Sequence, residues 1–121
     1  MIDAILIGTD NRVSVTEMQP ELHALQSAVG GSIEAVFSAT GDTTLWINED
    51  GKSQALPENR VGTWLWWHLN PAACGRDVLF GPVVITGGAD HDGGTCGVGQ
   101  EAFTALGELR RIVGGNAKAA S

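Results

Sequence analysis

Four side chains of this 121-residue chain, His68, Cys74, His91 and Cys96, could be assembled into a four-ligand zinc site. Imidazole and thiolate are the ligands zinc prefers. Their spacing fits neither a zinc finger nor a ribbon, and neither cysteine belongs to a Cys-x-x-Cys pair. Independent core or loop positions are the simpler expectation. Asp90-His91-Asp92-Gly93-Gly94 begins like a calcium loop, and Glu101 stands twelfth counting from Asp90. Thr95 and Gly97 fall where oxygen ligands are wanted, which points to a turn instead. The run from Gly87 to Gly99 precedes a helical pattern, so its backbone N–H groups could cradle a phosphate, with Arg60 or Arg76 adding bidentate contacts. It has no Walker lysine and no tight GxGxxG, and a surface loop is the main expectation. Nucleophilic catalysis would need His23, His68 or His91 beside Cys74, Cys96 or a serine, and no GxSxG-type signature supports a pair. No catalytic residue, metal ligand or cofactor is assigned.

The tryptophans are a different matter. Trp64, Trp66 and Trp67 crowd one short segment, with Trp46 on a neighbouring hairpin. On a helix Trp66 must point away from Trp64 and Trp67, which puts large apolar groups on both sides. Two of the tryptophans are expected in the core. The others suit a subunit interface, favoured here, or a pocket that stacks an aromatic ring.

The elements that must position these residues can be read in order. Ile2 to Leu6 and Val13 to Val15 are short β-type runs joined by Gly8-Thr9-Asp10-Asn11, a hairpin signal. Pro20 suits a first helical position. Leu22, Leu25 and Val29 then form an apolar stripe that Gly30 closes. Ile33 to Phe37 and Leu45 to Asn48 alternate around a turn at Thr40-Gly41-Asp42, predicting an antiparallel hairpin. Lys52 to Leu56 is a possible further strand. Val61 to Leu69 reads as a helix capped by Asn59 and ended by Asn70-Pro71. Val83 to Thr86 is a β run. Ala102, Leu106, Leu109 and Val113 mark a last helix, with Arg110 and Arg111 in its final turn and Gly114-Gly115 as its stop. Strands interspersed with about three helices, without regular βαβ alternation, predict a single small α+β domain with a mainly antiparallel sheet. The domain is expected over 1–115, with a flexible tail over 116–121.

Composition narrows the function classes. A hydrophobic share of 43% is ordinary for a globular domain, while 17% charged residues is sparse. So neutral a surface suggests a second subunit, and a homo-oligomer is expected. The formal net charge of −7, with seven Lys and Arg spread thinly, argues against nucleic-acid binding. An acidic chain could instead meet a basic protein. No apolar run reaches the ~20 residues of a membrane span, and the start carries no basic leader pattern. The expected setting is the cytoplasm, with both thiols free.

Four ordered stretches, LQSAVGGSIEAV, INEDGK, LPENRVGT and GPVVITG before an Asp/Gly loop, carry a family resemblance. The chain resembles the small phage and actinobacterial proteins catalogued as domain of unknown function 3846. In that family alanine is usual where this chain has Gly62, a small-for-small change expected to keep the packing. The three-tryptophan segment and Cys74 are departures from its pattern. The resemblance implies a phage or mobile-element accessory protein that acts by binding, in an anti-defence role, and no reaction. The leading expectation is therefore a non-enzymatic protein that sequesters a small anionic, nucleotide-like ligand in a pocket between protomers. Asn48, Asn59, Arg60 and Thr63 would supply polar contacts, and Trp64 or Trp67 a stacking face. The alternatives are an acidic inhibitor of a host protein and a small metal-dependent hydrolase.

Overall fold

Short alternating β runs cannot bury an apolar face alone, and here two hairpins share one central strand. The structure, a computed structural model, describes the backbone of residues 1–120 and the side chains of residues 1–112. β1 (Ile2–Ile7) pairs antiparallel with β2 (Val13–Met18), and β3 (Ile33–Phe37) with β4 (Thr43–Asn48). β5 (Val83–Gly87) lies between the hairpins, antiparallel to β1 and to β4, giving the order β2-β1-β5-β4-β3. The protein is a single α+β domain: a five-stranded antiparallel sheet with three helices.

Alternation along the strands sends residues to two faces. Ala4 and Val84 meet Leu25 and Val29 of helix α1 (Leu22–Val29) on one face. Ile5, Ile7, Leu45, Ile47, Val83 and Ile85 form the larger core on the other. That core is covered by Leu65, Trp66 and Leu69 of α2 (Arg60–Leu69) and by Ala102, Ala105 and Leu106 of α3 (Gln100–Ala120). Of the tryptophans, Trp66 is the one enclosed in this core. Trp46 is partly buried on the α1 side, its indole N–H donating to the Thr86 hydroxyl at 2.9 Å.

Several expected boundaries move. Pro20 precedes α1 rather than opening it; Glu21 is the N-cap residue, and Leu22 of the expected stripe is exposed. Gly30 does cap the helix, left-handed at φ 81°, with its N–H on the Gln26 carbonyl. Lys52 to Leu56 is not a strand. Its backbone closes on itself, Gln54 N–H to Asp50 O, Ala55 N–H to Lys52 O and Leu56 N–H to Gly51 O. With only Ala55 and Leu56 apolar and Pro57 next, local turn bonding outcompetes strand pairing here. The helical backbone of α3 runs past the expected stop at Gly114-Gly115, because glycine lowers helix propensity by about 1 kcal/mol without forbidding it. Arg110 and Arg111 therefore lie within the helix rather than in a final turn. The tail expected at 116–121 falls where side chains, and for Ser121 the backbone too, lie outside the described residues.

Candidate functional site

Asn59 decides where the helices sit on the sheet. Its side-chain oxygen accepts from the Gly62 N–H at 2.9 Å, as an N-cap should, and its amide donates to the carbonyls of Ile7 and Gly81, each at 2.9 Å. One fully buried side chain thus ties the start of α2 to β1 and to the approach of β5. Thr63 continues the seam: its hydroxyl donates to Asn59 O at 2.7 Å and accepts from Leu79 N–H at 3.0 Å. Asn48 does the same under α1, donating to Val29 O and accepting from Asp50 N–H at 2.8 Å. Three of the four residues expected to offer polar contacts to a ligand are therefore buried and hold the fold together, and Asn48 also lines a polar recess. Arg60 opens α2 with its side chain exposed.

Gly62 sits inside this seam. A Cβ there would lie 2.9 Å from Asn59 Oδ1 and 2.9 Å from Val83 Cγ2, so alanine forces the cap or the strand to shift. The expectation that the smaller residue merely conserves packing is corrected by these distances. At this helix start a Cβ meets the Asn59 and Val83 side chains, so a larger residue fits only where those side chains move.

The structure separates Trp64 and Trp67 onto two flanks. Trp64, 41% exposed, lies with Val13, Val61, Leu106, Leu109 and Arg110 around an apolar cleft of about 320 Å³, next to the β1–β2 turn. Trp67 lies in a second cleft of about 500 Å³, with Leu56, Val78 and Phe80 as further apolar walls and Lys52 and Arg76 at its rim. Both volumes fall in the range of small-molecule sites. The Trp67 indole N–H donates to Asp77 O at 2.9 Å, which fixes the ring against the 75–78 segment.

Charge in the second cleft is organised around Lys52. Its ammonium lies 2.5 Å from Asp77 Oδ1 and 5.9 Å from the centre of the Phe80 ring. The Lys52 hydrogen bond holds the Asp77 carboxyl below its ordinary value; partial burial opposes this, and the Val78 N–H adds to it. An ammonium has three donors, so Lys52 keeps capacity for a second acceptor. Arg76 is exposed beside it. A smaller polar recess of about 150 Å³ adjoins, sharing Lys52, Asp77 and Phe80 and lined also by Glu34, Glu49 and the expected site residue Asn48.

Sequence reasoning missed Lys52, Asp77 and Phe80. The motif INEDGK ends on Lys52, which was the one available signal. The pairing of Glu58 with Phe80 across an isolated bridge, which brings the segments together, has none.

The other chemistries resolve simply. Among the described residues no three His, Cys, Asp or Glu side chains gather to hold a metal. Cys74 and Cys96 are free and exposed, and His68 instead meets Glu108 at 2.6 Å between α2 and α3. Asp90 Oδ1 accepts from the N–H groups of Asp92 and Gly94, making the suspected calcium loop a hydrogen-bonded turn between Ala89 and Thr95. The phosphate cradle before α3 meets competition, since Glu101 already places a carboxylate in the first helical turn, 2.8 Å from the Thr40 hydroxyl. No helix among the described residues is long and apolar enough to cross a membrane.

Residues 2–110 match the family described as Domain of unknown function (DUF3846). The chain belongs to that family. No curated protein and no solved structure matches it.

Proposed function

We propose that this DUF3846 protein binds and sequesters a small anionic ligand carrying an aromatic ring, of the nucleotide class, in the Trp67 cleft. The observation that carries this reading is the pairing of aromatic walls, Trp67 and Phe80, with two cations, Lys52 and Arg76, around about 500 Å³. A planar ring stacks on the aromatic side while its phosphate meets the ammonium and the guanidinium. Asp77 and the recess carboxylates Glu34 and Glu49 suit amino or imino N–H groups on the ring edge and disfavour a second anionic group there. Tight capture in a preformed cleft needs no reacting group, which fits a non-enzymatic accessory protein working in the host cytoplasm against a defence signal.

Calorimetric titration with nucleoside monophosphates, diphosphates and cyclic nucleotides tests the proposal. Saturable heat with at least one of them, weakened at least tenfold by Arg76→Glu, is expected. Absence of heat across the whole panel overturns it.

A second reading rests on the charge of −7 and on the exposed Trp64 and Phe37. On that reading the surface docks on a basic host protein. A pull-down that retains one basic protein, and loses it with Trp64→Ala while nucleotides give no heat, would favour it.

A further inference from the structure

The two edges of the sheet are not alike. At β3 the Phe37 carbonyl accepts from the Asn70 amide at 3.1 Å, and the next turn is tied down by Ala39 N–H on Leu69 O. At β2 the only bond from outside the β1 ladder, among the described residues, is a long one of 3.4 Å from the Thr16 hydroxyl to its neighbour's carbonyl. β2 is six residues long, unbulged in its register with β1, free of proline, and carries one charge, Glu17. Such an edge is a template for another strand. Val15, which pairs with fully buried Ile5, is 56% exposed, so apolar surface accompanies the open backbone groups.

We propose that β2 is the interface for a second copy of this chain, pairing antiparallel with its counterpart across a two-fold axis to give one continuous sheet. Symmetry restricts the register. With Ser14 opposite Ser14 of the partner subunit, Val13 faces the partner's Val15 and Glu17 faces the partner's Asn11. That arrangement sets exposed Val15 beside the partner's half-buried valine and places no like charges opposite one another. An edge that pairs with itself across a two-fold axis gives a closed pair, and at the other edge Asn70 occupies the Phe37 carbonyl at the end of β3. The adjoining apolar cleft, with Trp64 on its wall, extends the contact beyond what one strand buries. The proposal is independent of the Trp67 cleft, which lies toward the opposite edge.

Light scattering on the full chain, together with cross-linking in a Cys74→Ser/Cys96→Ser background, tests this. Directly opposed residues of an antiparallel pair have Cα atoms about 4.5–5.5 Å apart, within disulfide reach. Ser14→Cys is therefore expected to oxidise to a covalent dimer, while Glu34→Cys on β3 stays monomeric. Val15→Lys should convert the dimer to monomer with the circular dichroism of the parent. A parent chain that is monomeric at every concentration tested overturns the proposal. So does a dimer that survives Val15→Lys, or cross-linking through Glu34→Cys in place of Ser14→Cys.

Discussion

The β2 flank and the β3 flank of this small sheet are built from similar material and differ in how their hydrogen bonds are spent. On the β2 side the backbone edge is open, the adjoining cleft is walled by Trp64 and aliphatic side chains, and its charge is limited to Arg110. On the β3 side Asn70 closes the end of the strand, and the nearby cleft gathers Lys52, Arg76 and Asp77 around Trp67 and Phe80. Open backbone with apolar surface suits another polypeptide; paired charges beside aromatic rings suit a small charged molecule. Two tryptophans three residues apart on one helix thus line two different clefts.

The largest effect should come from breaking what keeps the flanks in register. Asn59→Ala removes the α2 cap and strands the Ile7 and Gly81 carbonyls, costing about 3 kcal/mol of stability. Urea denaturation measures it; a loss under about 1 kcal/mol would mean the seam is not the tie described here. Gly62→Ala gains about 1 kcal/mol of helix propensity but forces contacts of a kind that typically cost about 1–3 kcal/mol. A net loss near 1 kcal/mol is expected in the same assay; in a Val83→Ala background, itself destabilised by the cavity, the Gly62→Ala penalty should shrink.

Smaller changes sharpen the β3 flank alone. Ala55 is held left-handed at φ 55° in the turn that carries Lys52 into the cleft. Ala55→Gly should stabilise by about 0.5–1 kcal/mol, read as a raised melting temperature, because glycine adopts that conformation without a Cβ clash. The Lys52–Asp77 pair is half exposed, so its contribution is modest and screened by salt. Its pH dependence has a definite sign. Asp77 titrates below its unfolded value, so the pair stabilises the fold above the ordinary aspartate value of about 3.9 and loses that contribution as pH falls through the folded value. Stability profiles of the parent and Asp77→Asn should accordingly converge in acid and separate above it.

Much of this architecture was legible in the residues. Gly8 to Asn11 and Thr40 to Asp42 announced two hairpins, Asn59 announced a helix cap, and the Val83 run announced a strand. The site was less legible. Asn59 and Thr63 read as free polar groups because a sequence shows which donors a residue owns and not whether the fold has used them; Asn48 is bonded too, yet lines the polar recess. Lys52, Asp77 and Phe80 come from separate segments joined by turns and one bridge, which leave no periodic pattern. Lys52 to Leu56 was misread for a related reason: five residues whose two apolar members, Ala55 and Leu56, are adjacent carry too little alternation to tell a strand from a self-bonded turn.

The central claim is that the β3-side cleft, and not the β2-side cleft, receives a ring-bearing anion. The indole N–H signals of ¹⁵N-labelled protein, assigned by single tryptophan substitutions, report on it directly during titration with the tightest nucleotide found by calorimetry. The Trp67 signal should shift and saturate with the calorimetric affinity, while the Trp64 signal stays in place. Movement of Trp64 with Trp67 unchanged would contradict the account.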